Sequence, residues 1–177
     1  FDARVFDVPP ASGEEVEPEP PFAVAVTRQG LGFRFSLRAH RDPSTRSGRK
    51  FARLNEGDEV LAVLPIHDEN DAVFVAASDG HALSVPASEL ALLSGAGKGT
   101  TLIKLAEGAR VVGAVVAPEG EGRVDILSDK GKTVRVKAED VTGSRASRGT
   151  QASRRDGFVC IVLPLPEVPS LTEQEER

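Results

Sequence analysis

The feature that most constrains the fold is a pattern of about fifty residues that occurs three times along the chain. Residues 23–37 (AVAVTRQGLGFRFSL), 72–85 (AVFVAASDGHALSV) and 122–136 (GRVDILSDKGKTVRV) each contain two alternating apolar runs around a turn with glycine. Alternation with a period of two predicts a half-buried strand, and turns such as SDG predict a hairpin. A repeat of this length is typical of propeller blades or of small stacked sheets.

The second half of each repeat recurs as well. Residues 45–66 align with residues 95–116 and, more loosely, with residues 144–164. Each segment begins with a loop rich in glycine and basic residues and continues into two strand-like runs around a second glycine turn. Four short strands are therefore expected in every repeat, and no amphipathic helix longer than two turns is predicted. The sequence predicts an all-β fold of four-stranded blades.

The repeats divide the chain into three regions. Residues 22–164 form the repeats, residues 1–21 are interpreted as the stump of a preceding repeat with an acidic, proline-rich linker, and residues 165–177 as an acidic tail. Segments rich in proline and glutamate bury too little apolar area to fold by themselves. The three blades are approximately residues 22–67, 71–117 and 122–164.

Charge is segregated along the chain, although the net charge is only −5. Residues 28–53 hold eight Arg or Lys and one Asp, residues 54–97 hold eight Asp or Glu and no Arg or Lys, and residues 130–155 hold eight Arg or Lys and two acids. Solvated surfaces usually mix the two signs, so blocks of this kind favour an electrostatic role. Uneven surface charge without a partner stays open as the simpler interpretation.

The stretch LLSGAGKGTTLIKL, residues 92–105, looks at first like a phosphate-binding loop. A P-loop would need glycine where Leu92 stands and Ser or Thr where Gly99 stands, and it would open a helix. The residues after Lys98 are instead β-branched and lead to another glycine turn. Nucleotide binding is therefore not expected, and the stretch is better explained as one copy of the recurring basic loop, alongside TRSGRK and SRASRG.

No catalytic or metal-binding constellation is predicted, and no cofactor is expected. The acidic cluster of Asp68, Glu69 and Asp71 lacks the glycine and the terminal glutamate of a calcium loop. The histidines lack the spacing of metal ligands. Both groups are interpreted as solvated loop residues. The histidines are His40, His67 and His81.

The ordered set of strand, turn glycine, strand and a loop such as SGRKFARLNEGDEVLAVLP or GKGTTLIKLAEGARVVGAVV resembles the C-terminal repeats of the A subunit of bacterial type IIA topoisomerases, DNA gyrase and topoisomerase IV. The resemblance covers roughly residues 22–164. It implies a β-pinwheel, a propeller-like disc whose blades exchange strands and whose basic rim bends or wraps DNA. Three repeats and a stump imply about three four-stranded blades plus a partial one, compatible with an open disc.

The glutamine-arginine-glycine box associated with DNA wrapping by gyrase is absent from these residues. This favours a topoisomerase IV-like subunit, or a gyrase subunit whose box lies outside this piece. The family cleaves DNA with a tyrosine in a separate domain, and this chain contains no tyrosine. The resemblance therefore implies a non-catalytic, DNA-bending part of an ATP-dependent topoisomerase.

The same resemblance implies partners and a location. The partners would be duplex DNA, the ATPase B subunit of the enzyme, and the rest of the polypeptide to which the repeats belong. The location would be the bacterial cytoplasm, in association with the nucleoid. No membrane is expected as a partner, because no apolar run approaches the roughly 20 residues that span a bilayer.

The basic loops supply the candidate DNA-binding residues. Spaced cations on a rigid, curved support can hold phosphates without reading base sequence. The absence of Tyr and Trp removes the best stacking platforms for single strands, so duplex DNA is the expected ligand, with shallow bending. The candidates are Arg38, Arg41, Arg46, Arg49, Lys50, Lys98, Lys104, Lys130, Lys132, Arg135, Arg145 and Arg148.

One alternative function stays open at this point. A module of β-repeats could use the same basic blocks to bind an acidic protein partner, with its acidic ends as competitors for the basic rim. Duplex binding that vanishes with salt and survives removal of residues 165–177 would discriminate against it.

Overall fold

A computed structural model describes residues 18–42, 48–68 and 70–163. This part of the chain contains β-strands and short 3₁₀ turns, and no α-helix is found within it. The strands are β1 (Phe22–Thr27), β2 (Leu31–Ser36), β3 (Val60–Ile66), β4 (Ala72–Ala77), β5 (His81–Pro86), β6 (Leu92–Leu93), β7 (Thr100–Thr101), β8 (Val111–Ala117), β9 (Arg123–Ser128), β10 (Thr133–Lys137), β11 (Thr150–Gln151) and β12 (Phe158–Val162). The 3₁₀ turns are Arg38–His40, Ala87–Glu89, Pro118–Gly120 and Glu139–Val141.

Each repeat is built on the hairpin that its alternating pattern predicts. Strands β1 and β2, β4 and β5, and β9 and β10 pair antiparallel. The turn residues Gly30, Gly80 and Gly131 have φ of 82°, 83° and 72°, a region that glycine enters without a steric penalty. In each repeat a later strand, β3, β8 or β12, returns to pair with the first strand of the hairpin. The all-β prediction is confirmed.

The first sheet has five described strands and the second has four, because the repeat that follows each sheet adds strands to it; β6 pairs parallel with β2. Strand β7 pairs with β2 of the preceding repeat, and β11 pairs with β5 in the same way. The third repeat supplies the four strands that the sequence predicts, β9 to β12, but the two-residue strand after its basic loop pairs with the neighbouring sheet and not with its own. The exchange of strands that the pinwheel resemblance implies is present.

The exchanged segments are fastened at the hairpin turns. The backbone N–H groups of Leu102 and Ile103 donate to the carbonyl of Gly30 at 2.8 and 3.3 Å. One repeat later, Ala152 and Ser153 donate to the carbonyl of Gly80, both at 3.0 Å. The same arrangement at two successive turns shows that consecutive repeats are joined by one recurring geometry.

The hydrophobic core lies between neighbouring sheets. Because side chains alternate across a strand, β4 sends Val73 and Val75 toward the first sheet and Phe74 and Ala76 toward the third. The first set packs with residues of β1, and the second packs with residues of β9 such as Ile126. The middle sheet is therefore buried on both faces, and its strand β4 has no exposed position.

Candidate nucleic-acid interface

The basic residues come together where one repeat adjoins the next. The backbone N–H of Arg53 donates to the carbonyl of Gly97 at 2.8 Å, and that of Lys104 donates to the carbonyl of Ser147, also at 2.8 Å. Parallel bridges join the same segments. These contacts bring Arg53 beside Lys98, which follows Gly97, and bring Lys104 beside Arg148, which follows Ser147.

Two pairs of cations therefore lie at two consecutive junctions, which are the places where one repeat adjoins the next. We refer to Arg53 with Lys98, and Lys104 with Arg148, as the junction pairs. All four residues are exposed. Within the described residues only Arg148 of these four has an ion pair, with Asp79 at 3.5 Å. Two like charges on adjacent segments repel each other, and a bound anion would relieve that repulsion.

The basic loops also contain cations that the protein itself orients. The guanidinium of Arg49 donates to the carbonyl of Ala39. The backbone N–H of Arg145 donates to a carboxylate oxygen of Glu89 at 3.1 Å, and its guanidinium donates to the carbonyl of Thr101 at 3.4 Å. Both guanidinium groups keep further donors for an anion, because each carries five N–H groups.

Three of the predicted residues already have an acidic partner. Arg38 pairs with Glu19, and Lys130 pairs with Asp156. Arg135 holds Asp125 in a two-pronged hydrogen bond of 2.7 and 2.8 Å. The hydrogen bond to Asp156 raises the pKa of Lys130, and the hydrogen bond from Arg135 lowers the pKa of Asp125. These cations offer less uncompensated charge to a polyanion than the junction pairs do.

The remaining predicted residues lie elsewhere on the basic segments. Lys50 and Lys132 are exposed, the latter beside the turn between β9 and β10. Arg41 is exposed just after the 3₁₀ turn that follows β2. Arg46 lies outside the described residues. The DNA-binding role of the whole predicted set stays a prediction.

A groove between β10 and β11 contains cations that the sequence analysis missed. It has a volume of about 470 Å³, and Arg123, Arg135 and Lys137 line it together with Asp140. Arg123 and Lys137 lie on strands, not in glycine-rich loops, so a search for basic loops passes over them. Arg53 was missed because it follows the glycine-rich part of its loop, although its repeat position was visible: Arg53, Lys104 and Arg154 are spaced 51 and 50 residues apart.

Some of the residues interpreted as solvated loops depart from that expectation, whereas His67 and Asp68 are exposed as expected and Glu69 lies outside the described residues. Asp71 is 5% exposed, and its carboxylate accepts the backbone N–H groups of His67 and Asp68 at 2.9 and 3.1 Å. The ring of His40 packs edge-on against Phe35, with centroids 5.7 Å apart. The solvated-loop interpretation is therefore wrong for Asp71, which is buried among backbone donors, and for His40, which ring packing partly buries.

Neither a metal site nor a membrane segment is found in the described part of the chain. No three His, Cys, Asp or Glu side chains there are grouped closely enough to hold a metal ion. The same residues include no helix that is both long and apolar enough to cross a membrane. The stretch 92–105 contains β6 and β7 and no helix, in keeping with the rejection of a P-loop.

Comparison with known protein families gives a match over most of the repeats. The family described as DNA gyrase C-terminal domain, beta-propeller, matches residues 22–67, 71–118 and 126–155. The DNA gyrase A protein of Staphylococcus aureus strain MRSA252 is 27% identical over 137 residues, 75% of this chain and 16% of that protein. Its counterpart in strain NCTC 8325 is 28% identical over 127 residues, 70% of this chain and 14% of that protein. The chain thus spans less than a fifth of these relatives.

Solved structures share the fold. The C-terminal domain of DNA topoisomerase IV superposes with a TM-score of 0.71 at 19% identity, covering 84% of this chain and 48% of that one. The DNA gyrase A C-terminal domain gives 0.68 at 21% identity, covering 81% and 50%. The C-terminal domain of E. coli ParC gives 0.66 at 22% identity, covering 83% and 60%. At these identities the likeness establishes the β-pinwheel architecture.

Proposed function

The chain belongs to the family of DNA gyrase C-terminal β-propeller domains, and from this membership we propose that it is a non-catalytic domain that binds and bends duplex DNA. It would serve the A subunit of an ATP-dependent type IIA topoisomerase, either a gyrase or a topoisomerase IV. An ATPase B subunit would be its protein partner, together with the rest of its own polypeptide, in the bacterial cytoplasm near the nucleoid. Family membership and the names of the relatives support this proposal.

The recurrence of the junction pairs is the observation that carries the proposal. Arg53 with Lys98 and Lys104 with Arg148 occupy the same position at two consecutive junctions, so they form two equivalent cationic sites. Duplex DNA presents phosphates at regular intervals, and each phosphate neutralised releases condensed counterions. Cationic sites that recur from repeat to repeat can contact regularly spaced phosphates without reading the base sequence.

We infer bending from the recurrence of the cations on successive repeats. Cations on successive repeats of a disc lie on a curve, so a duplex can contact several of them only if it bends. Smoothly bending 20–30 base pairs costs on the order of 1–6 kcal/mol, which several phosphate contacts can offset. The acidic block of residues 54–97 lies between the basic blocks and opposes the approach of DNA. We therefore expect a modest bend and not a tight wrap.

The test compares two sets of four cations. One variant carries Ala at the junction residues Arg53, Lys98, Lys104 and Arg148. The control carries Ala at four cations that are already ion-paired, so both variants lose the same formal charge. Those are Arg28, Arg38, Lys130 and Arg135, whose partners are Glu59, Glu19, Asp156 and Asp125.

Binding of a fluorescent duplex of about 30 base pairs would be followed by anisotropy across a range of salt concentrations. The junction variant should lower the slope of log affinity against log salt by up to about 3.6, at ~0.9 per phosphate contact. The control should change the slope less, and energy transfer between the duplex ends should report a bend with the unmodified chain and with the control, but not with the junction variant. A control that lost as much as the junction variant would show that net charge alone governs binding.

An acidic protein partner is the second candidate function. The observation that favours it is the groove of about 470 Å³ beside β10, which Arg123, Arg135 and Lys137 line together.

A further inference from the structure

An acidic residue of the second repeat holds the basic loop of the third. That loop is residues 144–149 (SRASRG), which we call the third basic loop. The backbone N–H of Arg145 donates to a carboxylate oxygen of Glu89, 56 residues earlier in the chain, at 3.1 Å. Glu89 is the last residue of the 3₁₀ turn Ala87–Glu89, which follows β5. A member of the acidic block of residues 54–97 is therefore in direct contact with a basic loop.

This contact leaves the charge of Arg145 unpaired. Glu89 accepts from the backbone, and the guanidinium of Arg145 instead donates to the carbonyl of Thr101 at 3.4 Å. Within the described residues Arg145 is exposed and has no ion pair. Arg148 differs, because its guanidinium is paired with the carboxylate of Asp79 at 3.5 Å. The second repeat thus brings two acids to one loop, and only Asp79 offsets the charge of a cation.

The backbone of the third basic loop is fixed at three successive residues. The N–H of Ala146 donates to the carbonyl of Leu102 at 2.8 Å, and the next N–H donates to the carbonyl of Ser144 at 3.2 Å. The preceding N–H is the one that donates to Glu89. Two of the three acceptors belong to the second repeat, so the loop is attached to its neighbour as well as to itself.

The loop has a backbone conformation that needs this support. Ala146 has φ of 62°, in the left-handed region that residues with a β-carbon disfavour. Ala96, fifty residues earlier in the second basic loop, has no positive φ. A residue persists in a disfavoured region only where its surroundings fix it there. Loss of the bond to Glu89 would remove a constraint next to Ala146, and Arg145 would then sample more conformations.

The preceding junction contains neither member of the pair. Ala39 stands fifty residues before Glu89, and Gly95 stands fifty residues before Arg145. Ala39 also lies in the 3₁₀ turn that follows its hairpin, Arg38–His40, so the two positions are equivalent. The acid and the arginine therefore occur together at one junction and are replaced together at the other. This is the pattern expected if one of them serves the other.

We propose that Glu89 is a positioning residue for duplex binding, which fixes the backbone of Arg145 so that its guanidinium is presented to phosphate. The inference rests on the proposed DNA-binding function. It adds Arg145 as a third cation to the junction pair of Lys104 and Arg148. Ordering an arginine before the ligand arrives lowers the entropy that binding would otherwise cost. Glu89 thus assists the binding of a polyanion although it is itself an anion.

Charge alone predicts the opposite effect. Removal of any exposed acid makes the chain less negative, which should strengthen duplex binding slightly. Glu107 provides the comparison, because it is an exposed acid of the same repeat that has no hydrogen bond or ion pair within the described residues. Glu89 and Glu107 differ in their contacts and not in their charge. The sign of the effect therefore separates positioning from charge.

The test measures duplex binding by anisotropy across a range of salt concentrations. Glu89→Ala should weaken binding by up to about tenfold and lower the salt slope by up to about 0.9, the contribution of one phosphate contact. Glu107→Ala should bind slightly more tightly than the unmodified chain, with an unchanged slope. Glu89→Gln keeps an oxygen that can accept the N–H of Arg145, so it should bind at least as tightly as the unmodified chain.

A background that carries Arg145→Ala distinguishes positioning from a general loss of stability. In that background Glu89→Ala should behave as Glu107→Ala does, because the side chain to be positioned is gone. A measurement without DNA examines the contact itself. Exchange of the Arg145 amide hydrogen, followed by NMR, should be faster in Glu89→Ala than in the unmodified chain and slow again in Glu89→Gln.

Three outcomes would overturn the proposal. They are weaker duplex binding by Glu89→Gln, an equal loss from Glu89→Ala with and without Arg145, and an effect of Glu89→Ala that matches that of Glu107→Ala. If the unmodified chain binds no duplex, both the proposed function and this inference fail. Duplex binding that does not depend on Glu89 refutes the inference alone.

Discussion

The backbone of Ser153 packs directly against Gly80. Its backbone N–H donates to the carbonyl of Gly80 at 3.0 Å, and its own carbonyl oxygen lies 2.6 Å from the position that a β-carbon on Gly80 would occupy. The two residues belong to different repeats, so this one contact joins the turn of the second repeat to the exchanged segment of the third. Gly131 occupies the equivalent turn of the third repeat, and none of the described residues comes within 4 Å of a β-carbon added there.

We expect Gly80→Ala to destabilise the protein more than Gly131→Ala. Both glycines have positive φ, 83° and 72°, so both substitutions incur a similar backbone penalty. Only the alanine at position 80 also collides with Ser153, and overpacking of this kind costs about 1–3 kcal/mol. The midpoint of urea unfolding measures the difference. Equal midpoints for the two variants would mean that the junction yields without cost.

We expect Asp71→Asn to destabilise the protein at neutral pH by about 1–3 kcal/mol, because an amide cannot accept all the hydrogen bonds that converge on the carboxylate. Burial works to raise the pKa of Asp71, but hydrogen bonds from the backbone of His67, Asp68 and Glu119 outweigh it and hold the pKa below its ordinary value.

The lowered pKa of Asp71 sets the sign of its pH dependence. A carboxyl group whose pKa is lower in the folded state contributes stability above its unfolded pKa and loses it as pH falls through the folded value. The stability difference between the unmodified chain and Asp71→Asn should therefore shrink as the pH is lowered below about 4. Urea unfolding at a series of pH values checks this, with Asp140→Asn on the exposed 3₁₀ turn as control. A stability difference that stayed constant as the pH fell would show that the charge of the carboxylate is not what stabilises the segment between β3 and β4.

We expect Asp125→Asn to strengthen duplex binding by releasing Arg135. The carboxylate now occupies the guanidinium through two hydrogen bonds, at 2.7 and 2.8 Å. A freed Arg135 could neutralise one more phosphate, which would steepen the salt slope by up to about 0.9. Glu107→Gln serves as a control, because it removes one exposed acid at a site distant in sequence.

The effect of Asp125→Asn must depend on Arg135 if this reasoning is correct. In a background that carries Arg135→Ala, the substitution at Asp125 should bring only the small gain seen with Glu107→Gln. A full gain in the absence of Arg135 would mean that lowering the negative charge is sufficient.

We expect joint replacement of Arg46, Arg49 and Lys50 by Ala to weaken binding to every duplex sequence alike. These residues belong to the first basic loop, and phosphate contacts carry no base preference. The salt slope should fall by up to about 3. Anisotropy with an AT-rich and a GC-rich duplex checks both points, and loss of binding to one of them alone would indicate base contacts. Undiminished binding would remove the first loop from the interface.

The hairpins could be predicted from sequence because their determinants are local. Alternating residues in 72–85 and the turn at Gly80 specify two strands within a few residues of each other. The pairing partner of Thr100 could not be predicted in the same way. A strand of two residues has no periodicity, and its neighbour, Gly32 in β2, lies far back in the sequence. Strand exchange was therefore accessible only through the family resemblance.

The candidate site was predictable as a distribution of charge but not as an arrangement of free cations. Lys130 and Lys132 look equivalent in sequence, yet Lys130 is paired with Asp156, which lies 26 residues away. Pairing over such distances depends on the fold. Arg53 could have been found by aligning its position with Lys104, whereas Arg123 gives no sequence signal because it begins a strand with no charged counterpart in the other repeats.

Strand exchange also governs how a protein of this kind can change in length. Every internal repeat adds a strand to the sheet before it and offers an edge to a strand of the repeat after it. In the second repeat, β7 is the added strand and β5 is the edge that receives β11. A gene that gains or loses one whole repeat of this type conserves the match between strands and edges. A gain or loss of half a repeat leaves a strand without a sheet, so duplication in whole units is the route that the architecture tolerates.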